Sequence, residues 1–279
     1  WLYKELTGDD LSFLDLVCLV AAIPVTLVYK AAARRAPFPR HDAFTQGLIA
    51  DGDTVWESTG LYGQSALCRY PLGSERAERW VALPAELFGE GICRSGDIIW
   101  QLTWRERVAL RWDAGTLELT GRVPYNRQGW GICAADGYLV TSDGTSELVR
   151  RDLDLAPQAV IHVRSAGHRV LGLNDLAWSA GTIWANVAGT HYLAGIDPDS
   201  GEVTDVVDAR AAAERHPGDP QAIMNGIAAL PESGGPGSGE PGPGEFLLTG
   251  KGWRWIRQVR LKPAREGSAR RRLLAGLSY

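Results

Sequence analysis

The chain has 279 residues, a formal net charge of −4 and 45% hydrophobic residues. This length suits one large domain or two small ones, and the hydrophobic fraction is ordinary for a protein with a sizeable core. The slightly acidic balance excludes any general case for binding nucleic acid or a membrane surface. Its 33 glycines and 11 tryptophans favour short strands joined by tight turns over helices.

The first segment in chain order, Leu11 to Tyr29, is largely apolar and about long enough to cross a bilayer. Asp15 and Pro24 interrupt it, and the residues before it are acidic, whereas a signal peptide normally begins with a basic region. We interpret residues 1–24 as a signal, anchor or disordered segment, which predicts an exported protein that is periplasmic, extracellular or held by a membrane anchor. The alternative is a hydrophobic helix or strand that belongs to the fold.

A phrase repeats along the chain at intervals of about 40 to 50 residues, the size of a propeller blade. The five copies are Gln46-Gly-Leu, Glu90-Gly-Ile, Trp130-Gly-Ile, Asn174-Asp-Leu and Asn225-Gly-Ile. In the first four copies a hairpin turn and a strand-like pair follow. The pairs are Val55-Trp56, Ile99-Trp100, Leu139-Val140 and Ile183-Trp184.

This repeat predicts an all-β fold, a five-bladed β-propeller over residues 25–261. The fifth copy is interrupted by a Pro/Gly/Ser-rich insertion at residues 231–244, which we expect to be a flexible loop. We expect the last blade to be closed by strands from both ends of the chain, Val25 to Lys30 and Trp255 to Leu261. Residues 262–279 form a basic tail that needs no function of its own.

The first strand of each propeller blade lines the central channel, so the repeat predicts a ring of five side chains near one mouth. The ring residues are Gln46, Glu90, Trp130, Asn174 and Asn225. A second set of equivalent positions lies further along each copy and holds Gly60, Trp104, Gly144, Ala188 and Lys251. Because residue types differ from blade to blade, we expect an asymmetric pocket on a symmetric scaffold.

Four cysteines, Cys18, Cys68, Cys93 and Cys133, have no metal-ligand spacing. We interpret them as small buried hydrophobic residues, with a disulfide as the less favoured reading.

Longer phrases around the repeat resemble the plant-type glutaminyl cyclases and their bacterial relatives, in family order over most of the chain. They are Phe44-Thr-Gln-Gly-Leu48, Glu57-Ser-Thr-Gly-Leu-Tyr-Gly-Gln-Ser65, Phe88-Gly-Glu-Gly91, Gln101-Leu-Thr-Trp104, Gly129-Trp-Gly131, Ser142-Asp-Gly144, Leu173-Asn174, Ile183-Trp-Ala-Asn186, Asn225-Gly-Ile-Ala228 and Thr249-Gly-Lys251.

The resemblance implies that the α-amine of an N-terminal glutamine attacks its own side-chain amide, releasing ammonia and leaving pyroglutamate. It implies that Glu57 is the acid/base, that Lys251 stabilises charge or handles protons, and that Asn174 completes the catalytic group. Gln46, Asn174 and Asn225 would bind the substrate through hydrogen bonds. The aromatic side chains Phe44, Trp104 and Trp130 would form a wall that selects the glutamine side chain and excludes water.

The expected partners are peptides or proteins with an N-terminal glutamine, with no nucleic acid, and the protein is expected to be a monomer. No cofactor is expected, although a structural calcium ion is possible. Many relatives carry a tryptophan where this chain has Ala188, so one wall of the pocket is expected to be missing.

Two other functions stay open at this point. A propeller hydrolase of the lactonase type could hold a divalent ion with Glu90, Asn174 and Asn225, although one carboxylate and two amides make a weak calcium site. A propeller that binds peptide N-termini without turning them over is the other alternative, because of Ala188.

Overall fold

A computed structural model describes residues 27–33, 36–39, 43–214, 222–230 and 244–263. These ranges contain strands and turns and no helix. The predicted signal or anchor segment, Cys18, the insertion up to residue 243 and the basic tail from residue 264 lie outside the described residues. Within the described part of the chain, no helix long and apolar enough to span a membrane is found.

Most of the strands form antiparallel units of four, in which neighbours in sequence are neighbours in the sheet. The first unit is β3 (Thr45–Asp51), β4 (Thr54–Thr59), β5 (Ala66–Pro71) and β6 (Arg79–Ala82). The second unit is β7 (Gly89–Ser95), β8 (Ile98–Thr103), β9 (Val108–Asp113) and β10 (Leu119–Pro124). The third unit is β11 (Ile132–Ala134), β12 (Leu139–Ser142), β13 (Glu147–Arg151) and β14 (Pro157–His162).

The fourth unit is β17 (Leu173–Ser179), β18 (Thr182–Val187), β19 (Tyr192–Ile196) and β20 (Val203–Asp208). The fifth unit combines β21 (Met224–Ala229), β22 (Glu245–Gly250) and β23 (Trp255–Pro263) with β1 (Leu27–Ala33) from the other end of the chain. The remaining strands are β2 (Phe38–Pro39), which pairs with β23, and the short hairpin β15 (Arg164–Ser165) and β16 (His168–Arg169).

β1 closes the fifth unit, as the sequence predicted, because it pairs antiparallel with β23. It also pairs in parallel with β20, so that the fourth and fifth units share one continuous sheet. The described strand of this closure is Leu27–Ala33; of the predicted Val25 to Lys30, the first two residues lie outside the described part of the chain.

The first strands of the five units, β3, β7, β11, β17 and β21, contact one another in a closed cycle. Five hydrophobic clusters fill the spaces between neighbouring units, and one of them joins the fifth unit back to the first through Leu48, Val55, Ala228 and Leu247. The fold is therefore all-β and propeller-like, with small sheets packed around a central axis.

The predicted hairpins are confirmed between the first and second strands of four units. Positive φ angles mark their turns, at Gly52, Gly96, Gly137 and Ala180-Gly181. The strand pairs that follow these turns are almost completely buried. Among the described residues, Cys68, Cys93 and Cys133 are buried, which confirms their interpretation as small buried residues.

Candidate active site

The ring residues sit where the first strands lose their regular register. The pairing of β3, β7, β17 and β21 with their second strands shifts at Gln46, Glu90, Asn174 and Asn225, while Trp130 lies just before β11 begins. A bulge inserts an extra residue and redirects its side chain away from the regular alternation of the strand. Irregular backbone at equivalent points of the units therefore presents these side chains at one end of the cycle.

A chain of hydrogen bonds connects three of the ring residues. Asn225 Nδ2 donates to Gln46 Oε1 at 2.9 Å, and Gln46 Nε2 donates to Glu90 Oε1 at 3.2 Å. Asn225 Nδ2 also lies 3.2 Å from the carbonyl oxygen of Thr45. These bonds fix which end of the Gln46 amide faces Glu90, because its oxygen is already an acceptor for Asn225. Asn225 therefore orients Gln46.

Glu90 and Lys251 form the charged part of the site. Burial raises the pKa of Glu90 well above 4.5, the nearby positive charge of Lys251 lowers it, and the negative charges of Asp175 and Glu106 raise it further. Burial lowers the pKa of Lys251 from 10.5, and the charge of Glu90 opposes that shift. The site therefore favours proton exchange at a carboxyl group with a fixed cation nearby.

Aromatic rings surround these charges. The ring of Phe88 packs against Phe44 at 6.4 Å and against Trp104 at 5.4 Å between centroids. Lys251 Nζ lies 4.9 Å from the centre of the Phe44 ring, a cation–π arrangement. Gly60 makes room for Phe88, since a Cβ at Gly60 would lie 2.4 Å from the Phe88 ring.

The opposite side of the site is formed by Trp130 and Asn174. A Cβ at Gly144 would lie 2.8 Å from the Trp130 ring, so the absence of a side chain there lets the indole lie flat. Ser142 Oγ donates to the carbonyl oxygen of Asn174 at 2.7 Å and holds the strand beside Trp130. Asn174 Oδ1 is buried and has no hydrogen-bond partner among the described residues. This amide oxygen is available as an acceptor for a ligand.

Glu57 occupies a different environment from these residues. It is fully buried on β4, where Thr45 Oγ1 donates to Oε1 at 2.6 Å and Tyr70 Oη donates to Oε2 at 2.7 Å. Thr45 Oγ1 also lies 3.3 Å from the carbonyl oxygen of Gly250 in the fifth unit. The carboxylate therefore bonds to two strands of the first unit, and its partner Thr45 lies against the fifth unit.

The structure brings Phe44, Gln46, Trp104 and Lys251 together with Glu90, and it places Trp130 and Asn174 on the adjoining strands. Asn225 supports the site from behind Gln46, and Glu57 lies inside the interface. Ala188 is almost buried and follows β18.

The sequence predicted no site role for Phe88, and it offered Glu90 as a ring residue and as a metal ligand in the lactonase-type alternative, but not as the acid/base. A signal for both was available, because Phe88 precedes Glu90 by the same two positions that separate Phe44 from Gln46. Glu90 is also the one carboxylate among the ring residues.

The described residues contain no group of three or more His, Cys, Asp or Glu side chains that could hold a metal ion. Two residues of the metal site in the lactonase-type alternative are already engaged in hydrogen bonds. Asn225 donates to Gln46 and to the backbone, and Glu90 accepts from Gln46. This arrangement does not favour the lactonase-type hydrolase.

Residues 21–261 match the sequence model of a family described as glutamine cyclotransferase. The chain belongs to this family. A glutaminyl-peptide cyclotransferase of Arabidopsis thaliana is 31% identical over 238 residues, which are 82% of this chain and 71% of that protein. The crystal structure of Myxococcus xanthus glutaminyl cyclase is similar with a TM-score of 0.75 and 32% identity, covering 85% of this chain and 99% of that one.

Similarity to proteins outside the glutamine cyclotransferase family extends to the fold alone. The WD40 repeats of RRP9 share 9% identity with a TM-score of 0.50, over 83% of this chain and 100% of that one. The family match covers all the residues that form the described site, from Phe44 to Lys251. The resemblance drawn from the repeated phrases is thereby confirmed.

Proposed function

We propose that this protein is a glutaminyl-peptide cyclotransferase that converts the N-terminal glutamine of peptides to pyroglutamate. The observation that carries the proposal is Glu90, a buried carboxyl with a raised pKa that accepts a hydrogen bond from Gln46 inside an aromatic pocket. The family membership indicates the class of reaction. That reaction needs a group that carries a proton, and the Glu90 carboxyl can fill this role.

We assign the acid/base role to Glu90 rather than to Glu57. A proton carrier must reach the substrate and exchange protons near the working pH. Glu57 is fully enclosed, with hydroxyl donors on both carboxylate oxygens. Glu90 lies at the bulge of β7, where one of its oxygens accepts a hydrogen bond from the ring residue Gln46.

In the proposed reaction the α-amino nitrogen bonds to the side-chain amide carbon, and the bond from that carbon to the amide nitrogen breaks. One proton passes from the attacking amine to the departing nitrogen through Glu90, so the products are a pyroglutamyl peptide and ammonia. Nucleophile and electrophile belong to one residue, and the enzyme mainly fixes the reactive conformation.

The remaining side chains have separate parts in this scheme. Lys251 offsets the negative charge that develops on the amide oxygen. Gln46 and Asn174 bind the amide and amine of the substrate, Gln46 through its second Nε2 hydrogen and Asn174 through its unpartnered Oδ1. The rings of Phe44, Phe88, Trp104 and Trp130 exclude water and limit the pocket to a short side chain.

We further propose that the scaffold is a five-bladed propeller in which each of the five units is one blade. The cycle of first strands and the five clusters between units support this count. The reaction as proposed needs no cofactor, and the protein acts as a monomer. Export is proposed from the apolar segment Leu11 to Ala22 alone, and N-terminal sequencing of protein recovered from the periplasm or medium tests it.

The test is ammonia release from a glutamine-initiated dipeptide by the purified protein, measured against the spontaneous rate and repeated with a chelator. We expect release above background with and without chelator. A rate equal to background would overturn the cyclotransferase proposal, and loss of activity on chelation would indicate a metal enzyme.

The same assay distinguishes the two carboxylates. Glu90→Gln should lower kcat by at least about 100-fold, because the proton carrier is lost while the shape is kept. Glu57→Gln should have the smaller effect, and the exposed Glu202→Gln serves as the matched control with the wild-type rate. A larger loss in Glu57→Gln than in Glu90→Gln would return the acid/base role to Glu57.

A further inference from the structure

One position in the cycle of first strands breaks a pattern. The residue after the ring residue is glycine in four units, Gly47, Gly91, Gly131 and Gly226. A Cβ at Gly47 would lie 2.5 Å from Ile92 N, and one at Gly91 would lie 2.7 Å from Gly131 Cα. A Cβ at Gly131 would lie 2.1 Å from Asn174 O. The strands approach too closely for side chains. In the fourth unit this position holds Asp175, which is fully buried.

The Asp175 carboxylate reaches across the cycle. Its Oδ2 accepts a hydrogen bond from the backbone N–H of Ile227 in the fifth unit at 2.9 Å. Burial raises the pKa of Asp175 well above 3.8, while the backbone N–H groups of Ile227, Leu176 and Leu48 lower it. Those amides belong to the fifth, fourth and first units. The carboxylate therefore lies near the axis, where backbone donors from three units face it.

Asp175 also lies next to the pocket. It directly follows Asn174, and its neighbour across the cycle, Gly131, directly follows Trp130. Its second oxygen, Oδ1, is buried without a hydrogen-bond partner among the described residues. Burying a carboxyl group whose hydrogen bonds are incomplete destabilises the folded state. Packing alone therefore does not explain why Asp175 occupies this position.

The charged groups that act on Glu90 come from three directions. Lys251 of the fifth unit favours its ionised form, whereas Asp175 of the fourth unit and Glu106, in the turn between β8 and β9, favour its protonated form. Gln46 of the first unit adds an uncharged donor. Burial raises the pKa values of the Cys93 and Cys133 thiols, and the negative charge of Asp175 raises them further, so its influence extends to the second and third units.

We propose that Asp175 is a positioning residue for the reaction, whose carboxylate closes the channel beneath the substrate pocket and acts on Glu90 through space. This rests on the proposed function of Glu90. Lys251 and Asp175 then have opposite effects on Glu90. The positive charge of Lys251 stabilises its carboxylate form. The negative charge of Asp175 keeps that carboxylate basic enough to accept the proton of the substrate amine.

Removing a nearby negative charge makes a carboxyl group give up its proton more easily, so the pKa of Glu90 should fall in Asp175→Asn. Asparagine keeps the shape of aspartate and an oxygen that can accept the Ile227 N–H. The acid limb of the kcat profile should therefore move to lower pH by about one unit, with KM nearly unchanged.

The experiment compares wild type with Asp175→Asn, and uses Asp205→Asn on β20 as the matched control. Asp205 is partly buried, and burial raises its pKa as it does that of Asp175. It is not among the groups that act on Glu90. Two readouts are taken, the kcat–pH profile and the infrared C=O band of protonated Glu90, identified by its loss in Glu90→Gln. We expect both midpoints to fall in Asp175→Asn and to stay in place in Asp205→Asn.

The infrared titration does not depend on turnover, so it separates this inference from the proposed function. An inactive wild type would overturn the cyclotransferase while leaving the infrared shift measurable. If Asp175→Asn does not fold, Asp175→Gly is measured in the same way, because it removes the charge and places here the residue that the other four units carry. The infrared midpoint of Glu90 should fall in this variant as well. An unchanged midpoint in the variant that folds would overturn the inference.

Discussion

Glu90 and Lys251 are both almost excluded from solvent, with 5% and 6% of their surfaces exposed. Keeping ionisable groups in such surroundings opposes folding unless other charges or hydrogen bonds compensate. Gln46 gives Glu90 one hydrogen bond, and the cation of Lys251 acts through space. The direction of the pKa shift of Glu90 indicates that this compensation is incomplete. The site therefore retains a destabilising group that the reaction needs.

This leads to a prediction for pH and stability. The folded pKa of Glu90 lies above its usual 4.5, so between these values the folded state binds more protons than the unfolded state. The contribution of Glu90 to stability is fully present below pH 4.5 and is lost as the pH rises through the folded pKa. Relative to wild type, Glu90→Gln should therefore gain unfolding free energy as the pH rises from 5 to 8.

Urea unfolding at the two pH values measures this gain. Glu202→Gln, at an exposed position of the fourth unit, should follow the wild-type pH dependence. If the free energy of unfolding changes equally with pH in wild type and in Glu90→Gln, then Glu90 titrates in the folded state as it does in the unfolded chain.

Glu57 shows how one residue type takes a different role in another environment. Its two oxygens accept from the hydroxyls of Thr45 and Tyr70, so the carboxyl group is held in place by two short hydrogen bonds. Thr45 lies between Phe44 and Gln46, and it also contacts Gly250, the residue before Lys251. Glu57 therefore holds the backbone that positions three pocket residues.

At the scale of elements, bulges and glycines act together in the first strands. The bulges redirect the ring side chains, and the glycines that follow three of the ring residues let adjacent first strands approach closely. Gly131 is the tightest of these contacts, because its Cβ would overlap the carbonyl oxygen of Asn174. Backbone cannot move aside as a flexible side chain can.

Gly131→Ala should therefore destabilise the fold by about 1 to 3 kcal/mol, as overpacking does in well-packed cores. It should also lower kcat/KM, since the strand that carries Asn174 must shift. The control is Gly121→Ala on β10, where a Cβ would lie 3.8 Å from Arg111 Cβ, an ordinary contact. Chemical unfolding and the ammonia assay measure the two effects. Equal stability of the two variants would contradict the role given to Gly131.

At the scale of the whole molecule, the cycle is closed by strands from both ends of the chain. β1 completes the fifth unit, and that unit supplies Asn225 and Lys251. The hydrophobic cluster between the fourth and fifth units includes Tyr29 and Ala31 of β1. Closure of the ring and completion of the site therefore depend on the same strand.

Ala31→Glu should lower the free energy of unfolding by at least about 2 kcal/mol, because it buries a carboxyl without a partner. For a chain of this size the melting temperature should fall by about 5 °C or more. Ala33→Glu is the matched control, since Ala33 is exposed on the same strand and should change stability by no more than about 0.5 kcal/mol. Similar melting temperatures for both variants would show that β1 is not essential to closure.

The sequence predicted the repeat, the hairpins and the ring positions because each is encoded locally. A turn glycine, a strand-like pair and a recurring phrase depend on residues close together in the chain. The structure places the predicted hairpins where the turns indicated and brings Phe44, Gln46, Trp104 and Lys251 to Glu90. It also confirms that a strand from the early part of the chain, Leu27–Ala33, closes the fifth unit.

The sequence by itself determined the all-β, repeating architecture and the family, since those depend on periodicity and on phrases in order. Only the tertiary structure decided the environment of each carboxyl group, because burial and neighbouring charges come from distant parts of the chain. Glu57 meets Thr45 and Tyr70 inside an interface, whereas Glu90 meets Gln46, Lys251 and Asp175 from three other units. The pKa of a side chain follows from those surroundings, and no local phrase contains them.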